Sequence, residues 1–200
     1  AANIGSIIYF SPVIYVILTY FICKKLSFFI VLIGYMGSGK TSVATELSKQ
    51  TSKPFIDLDN FIEKSENSSI KKIFQKYGEI HFRNKERLYL EKIINSNSPS
   101  IISLGGGTPC YSNNMELLKS KGNVCTFFLK VSPENLSKRL FNERMKRPLI
   151  SHIHSLKSLE KYVSKHLFER MPYYIQSDYQ IDTSNKSISE IAVNILDLLR

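Results

Sequence analysis

GYMGSGKT, residues 34–41, lies between an apolar run, SFFIVLI at 27–33, and a segment whose spacing suits a helix. Gly34, Gly39, Lys40 and Thr41 satisfy the G-x-x-x-x-G-K-[ST] pattern. In that pattern, positions free of side chains let backbone N–H groups curl around phosphate oxygens. The N-terminus of the following helix adds its partial positive charge. The motif predicts that Gly37, Ser38, Gly39, Lys40, Thr41 and Ser42 contact ATP, with Lys40 on the β- and γ-phosphates and the Thr41 hydroxyl on Mg2+. A glycine turn chosen only for tight packing does not explain the Lys-Thr that ends it.

Working outward, SFFIVLI is a continuous apolar run of the kind buried on both faces of a parallel sheet. Beyond the loop, Val43, Ala44 and Leu47 suit a helix that ends before Pro54, and PFIDLD at 54–59 reads as a second short strand. SIISLGGG at 100–107, NVCTFFLKV at 123–131 and DYQIDTS at 178–184 supply three more strands, with helical stretches between them. The last segment puts Ile188, Ile191, Ile195, Leu198 and Leu199 on one helical face. The pattern predicts an α/β fold in one domain, a central parallel β-sheet flanked by helices, without internal repeats.

The composition agrees. The chain has 200 residues, 43% of them hydrophobic and 22% charged, enough for one globular domain with a sizeable core. Its 27 Lys+Arg against 17 Asp+Glu give +10, but the lysines are scattered and no nucleic-acid motif is present, so no nucleic-acid partner is expected. Cys23, Cys110 and Cys125 form no CxxC pair and suggest no disulfide framework, which fits a reducing cytoplasm. His152 and His154 have no Cys or His partner at metal-ligand spacing, so a solvated loop pair and no structural metal are expected.

The N-terminus is the awkward part. IGSIIYFSPVIYVILTYFIC, residues 4–23, carries no charge and is followed by Lys24 and Lys25. Its length is near the roughly 20 residues of a bilayer-spanning helix, and the basic flank suits a membrane anchor. Against this, the sequence starts at Ala1 without a methionine, the stretch is rich in β-branched residues, and a strand begins a few residues later. No basic region precedes the run, so a signal peptide fits poorly. Translated upstream sequence is the first expectation and a real anchor the second. Residues 1–25 are set apart as an extension, residues 26–200 as the catalytic domain, and a membrane partner is expected only if 4–23 is an anchor.

Asp57 and Asp59 alternate in D-L-D at the end of the second strand, so both carboxylates would point one way while Leu58 points into the core. The C-terminal edge of a parallel sheet is where ligands bind. One carboxylate could support Mg2+ and the other face a hydroxyl.

GYMGSGKT, DLD, HFR at 81–83, LGGG at 104–107, RPLI at 147–150 and ERMPYY at 169–174 follow one another in an order and spacing that resemble shikimate kinase across residues 26–200. The resemblance implies a P-loop kinase fold of the nucleoside-monophosphate-kinase type with a mobile lid at about 141–158. It implies transfer of the ATP γ-phosphoryl group to the 3-hydroxyl of shikimate, a step of chorismate and aromatic amino acid biosynthesis. Carried onto matching positions, it implies that Arg83 and Arg170 grip the substrate carboxylate, since guanidinium forks match carboxylates bidentately. Asp59 would orient or deprotonate the attacking hydroxyl, and Asp57 would act on Mg2+ through water. Gly105, Gly106 and Gly107 would let backbone N–H groups approach the ring. Arg147 would reach the transferring phosphate when the lid closes, and Arg139 would stack near adenine.

DTSNK departs from the family's pattern, because Asn185 and Lys186 stand where relatives can carry a basic adenine-pocket residue. Adenine contacts there would be mainly backbone. Cys110 is given no catalytic role, and a cytoplasmic monomer is expected. Two alternatives remain open on the sequence: another small-molecule P-loop kinase resembling gluconate kinase, and an inactive membrane-anchored nucleotide-binding protein.

Overall fold

Phe29–Ile33 reads FIVLI, and every one of its side chains is buried. Phe29, Val31 and Ile33 pack into one hydrophobic layer, while Ile30 and Leu32 pack into another. That two-faced burial makes this strand, β1, the centre of a sheet rather than an edge. The computed structural model describes residues 28–147 and 149–199, so the 1–25 extension and the apolar stretch at 4–23 lie outside the described residues.

The described residues form a five-stranded, all-parallel sheet in the order β2-β3-β1-β4-β5. The other strands are β2 (Phe55–Asp57), β3 (Ile101–Ser103), β4 (Val124–Lys130) and β5 (Tyr179–Asp182). The helices are α1 (Lys40–Thr51), α2 (Leu58–Ser65), α3 (Ile70–Ile94), α4 (Asn114–Lys119), α5 (Pro133–Glu143), α6 (Leu156–Tyr174) and α7 (Ile188–Leu198). α1 and α7 cover one face through Val43, Ala44, Leu47, Ile191, Ala192 and Ile195. α2, α3, α5 and α6 contribute to the layer on the other face, among them Ile62, Leu90, Leu140 and Val163.

The strands fall where the sequence places them, with two corrections. PFIDLD does not stay extended: β2 stops at Asp57, and Leu58 and Asp59 begin α2. The cause is local, because the Asp57 carboxylate accepts from Asn60 N and so caps the first turn of a helix. On α7 the buried face is Ile191, Ala192 and Ile195, whereas Ile188 and Leu198 are 46% and 42% exposed. Ala192 lies on that buried stripe in place of the outer pair.

Serine caps set where several helices begin. Ser69, Ser132 and Ser155 each accept a backbone N–H at the start of α3, α5 and α6. Ser187 and Glu190 form a capping box on α7.

Candidate functional site

The β1–α1 loop leaves the middle of the sheet beside the point where the chain turns to β3 on one side and β4 on the other. Such a switch point opens a crevice at the carboxyl ends of the strands. Gly37 and Gly39 have φ of 78° and 92°, a region that side chains disfavour. A Cβ on Gly37 would also lie 3.0 Å from Leu140 Cδ2. Ser38 N donates to Tyr35 O at 3.1 Å, closing the turn.

Lys40 is 8% exposed, and its ammonium donates to the carbonyls of Gly34 at 2.8 Å and Tyr35 at 3.0 Å. Burial pulls its pKa down to about 8, against the opposing pull of the Asp59 and Asp57 charges. Thr41 Oγ1 donates to Asp57 Oδ2 at 3.4 Å. Gly37 to Ser42, Asp57, Asp59, Arg139 and Arg147 line one cavity, together with Gly105 and Gly106. The D-L-D carboxylates therefore share a site despite the helical turn between them.

A second cavity adjoins it, lined by Met36, Asp59, Ile70, Arg83, Gly106, Gly107, Arg147, Leu149 and Arg170. Met36, Asp59, Gly106 and Arg147 belong to the walls of both. The guanidinium groups of Arg83 and Arg170 thus come to one cavity from different helices. Burial pushes the Asp59 carboxyl up to about 6, reinforced by the negative charges of Glu86 and Asp57 and opposed by Lys40 and Arg83.

Arg83 is held on several sides. Its Nη1 donates to Glu86 Oε2 at 2.5 Å, its Nη2 to Glu79 Oε1 at 3.1 Å, and its guanidinium lies 4.0 Å from the centre of the Tyr111 ring. Glu86 is 1% exposed and also accepts from Thr108 Oγ1 at 2.7 Å. The sequence reading missed Glu86, although a signal exists. It is an acid on the stripe Phe82-x3-Glu86-x3-Leu90, whose other members are buried. A carboxylate buried among apolar residues requires partners.

The glycine turn after β3 accommodates these same groups. A Cβ on Gly105 would stand 2.9 Å from Asp59 Oδ1, and one on Gly107 would stand 3.0 Å from Arg83 Nη2. Apart from any approach of a ring, the glycines leave room for the Asp59 carboxylate and the Arg83 guanidinium. Tyr174 Oη donates to Gly106 O at 2.5 Å, tying the end of α6 to this turn. Tyr174 is likewise a residue the sequence reading left without a role.

Arg147 pairs with Glu143 at 2.8 Å, and Arg139 Nη1 donates to Gly37 O at 3.3 Å. Between α5 and α6, Ile150 and Ile153 are buried within the segment expected to form a lid. Thr183, Lys186 and Ile188 also line the first cavity. Cys110 packs against the core, and burial pushes its thiol up to about 11. His152 and His154 are exposed.

A parallel sheet with a glycine loop, a Lys-Thr pair and a facing carboxylate at its switch point defines a P-loop kinase, here with a second cavity opening on the first. A shikimate kinase family profile matches residues 36–200. The shikimate kinase of Flavobacterium johnsoniae is 44% identical over 170 residues, which is 85% of this chain and 98% of that protein. The crystal structure of shikimate kinase from Bacteroides thetaiotaomicron superposes with a TM-score of 0.78 at 31% identity, covering 86% of this chain and 98% of that one. Shikimate kinase from Acinetobacter baumannii, solved in complex with shikimate, gives 0.76 at 28% identity, covering 88% and 95%. The chain belongs to the shikimate kinase family.

Proposed function

We infer that the protein catalyses ATP-dependent phosphorylation of the 3-hydroxyl of shikimate, giving shikimate 3-phosphate and ADP. The observation that carries this reading is the meeting of the two cavities at Asp59 and Arg147. One side of that junction offers a phosphate loop; the other offers two guanidinium groups suited to a small carboxylate-bearing acceptor.

In this reading Gly37 to Ser42 bind the ATP phosphates, and Lys40 exchanges the carbonyls of Gly34 and Tyr35 for β- and γ-phosphate oxygens. Thr41 and Asp57 present an oxygen-only pair of the kind a hard cation takes, so they would hold Mg2+, with Asp57 acting through water. When bound, Mg2+ neutralises charge on the β- and γ-phosphate oxygens. Arg83 and Arg170 grip the shikimate carboxylate, and the amides of Gly105, Gly106 and Gly107 face the ring. Asp59 orients the 3-hydroxyl and takes its proton; with a pKa near 6 it is charged at neutral pH and still basic enough to accept that proton. Arg147 stabilises the transferring group as the lid closes and water is excluded. Arg139 would stack near adenine, and it lines a pocket together with Thr183 to Lys186.

The proposed catalytic unit is residues 26–200, acting as a cytoplasmic monomer. No helix of the described residues is long and apolar enough to cross a membrane. A chain beginning at Lys24 keeps every proposed catalytic motif and should be soluble and active, and its sedimentation beside the full chain tests that boundary.

The test of function is ADP release, coupled to NADH oxidation, against shikimate, gluconate and nucleoside monophosphates. Shikimate should be the productive acceptor and Lys40→Met should abolish its turnover. Faster release with gluconate or a nucleoside monophosphate would overturn the assignment.

A further inference from the structure

Tyr35 occupies a position at which the phosphate-loop pattern asks nothing of the side chain, yet that side chain is 1% exposed. Its backbone serves the nucleotide side, because the carbonyl accepts from Lys40 Nζ and from Ser38 N. Its ring serves the acceptor side. The Arg170 guanidinium carbon lies 5.2 Å from the ring centroid, inside the roughly 6 Å reach of a cation–π contact. Tyr35 Oη has no hydrogen-bond partner among the described residues, so the ring makes the contact and the hydroxyl does not.

The backbone beside it bridges the same two sites. A Cβ on Gly106 would lie 3.3 Å from Met36 N and 3.7 Å from Tyr35 C, so the glycine turn rests directly on residues 35 and 36. An aromatic face beneath a guanidinium confines that planar group and leaves its edge donors for a carboxylate.

We propose that Tyr35 is a positioning residue that holds Arg170 from within the phosphate loop and so links the affinities for nucleotide and shikimate. This rests on the reading that Arg170 grips the shikimate carboxylate. Nucleotide phosphates draw Lys40 off the Tyr35 carbonyl and are held by the loop's own N–H groups; the loop so held fixes the Tyr35 ring, and the ring fixes Arg170. Linkage is reciprocal, so shikimate tightens nucleotide binding by the same factor.

The test is equilibrium titration of shikimate with and without saturating ADP, and of ADP with and without saturating shikimate. In Tyr35→Leu, shikimate affinity should fall about two- to thirtyfold, the range of a cation–π contact. ADP affinity without shikimate should hold, and the coupling factor should fall toward one. Tyr35→Phe, which keeps the ring and drops the unpartnered hydroxyl, should restore both. A merely structural role would lower the melting temperature without separating these quantities. Should Tyr35→Leu fail to fold, Tyr35→Met, which adapts to irregular space, takes its place.

Wild-type affinities that are independent of each other, a ring-less variant that keeps the coupling, or a Phe variant that loses it would each overturn the proposal. Arg170→Ala separates the two readings. If it leaves shikimate affinity intact, the carboxylate assignment fails; if it weakens shikimate while Tyr35→Leu does not, only the role of Tyr35 fails.

Discussion

Thr41 Oγ1 donates to Asp57 Oδ2 across 3.4 Å, which joins the first turn of α1 to the end of β2 at the cavity where the phosphates are proposed to bind. Asp57 also caps α2 through Asn60 N. Asparagine caps helices about as well as aspartate, so Asp57→Asn should keep the fold while removing the charge. Activity titrated against free Mg2+ should then show a midpoint raised about ten- to hundredfold, as for other residues that act on a metal through an intermediary. EDTA should abolish turnover in both proteins. An unshifted midpoint would remove Asp57 from the metal site.

Asp59 predicts a trade between stability and catalysis. Its pKa rises from 3.8 to about 6 on folding, chiefly through burial. The native state therefore holds the proton more tightly than the unfolded chain, and this group makes stability fall as pH rises between those two values. Asp59→Asn has no charge to bury. It should be more stable than wild type above pH 6, by about 3 kcal/mol at most, and match it below the lower value. Its turnover should collapse. Melting curves from pH 3.5 to 8 that run parallel for the two proteins would sink the argument.

The parts of the site legible in sequence are those fixed by neighbours along the chain. FIVLI and the glycine loop declare themselves because a buried strand and a phosphate cradle each need a contiguous pattern. Asp57 and Asp59 were legible as a pair but not in their geometry. Alternation in a strand competes there with N-capping, and the cap satisfies an orphan N–H of α2. Arg83 and Arg170 come from α3 and α6, 87 positions apart, so only their likeness to family motifs pointed to a shared cavity. Tyr35 and Tyr174 make their contacts with distant segments, which no local period encodes, whereas Glu86 stands on a buried helical stripe and only its bond to Thr108 is distant.

Gly78 has φ 80° and ψ 175° inside α3, so the helix is broken there, one residue before Glu79 and five before Arg83. A Cβ at Gly78 would meet nothing within 4 Å, which makes the cost of Gly78→Ala one of backbone conformation alone. That region is nearly exclusive to glycine and costs about 1–3 kcal/mol for other residues. Urea unfolding should show a loss of this size. Because the break sets the direction of the segment bearing Arg83, KM for shikimate should rise more than KM for ATP. A variant as stable as wild type would mean that the chain takes another path at this point.

Arg170 gives the sharpest test of the acceptor. Arg83 is already held by Glu79 and Glu86, whereas Arg170 meets the cavity across the Tyr35 ring. Arg170→Lys keeps the charge and loses the planar fork, so shikimate affinity should fall while ATP affinity barely changes. Loss of a charge-assisted bidentate contact amounts to about 1.5–3 kcal/mol, or roughly ten- to hundredfold in affinity. Replacing the substrate carboxylate by a neutral amide should weaken binding to the wild type heavily. The same replacement should weaken binding to Arg170→Ala little further, since the partner is already gone. Comparing the four affinities isolates the contact, because each single change removes the same interaction. Penalties that simply add would mean that Arg170 does not touch the carboxylate. The acceptor cavity would then have to be read from Arg83, Asp59 and the glycine turn alone.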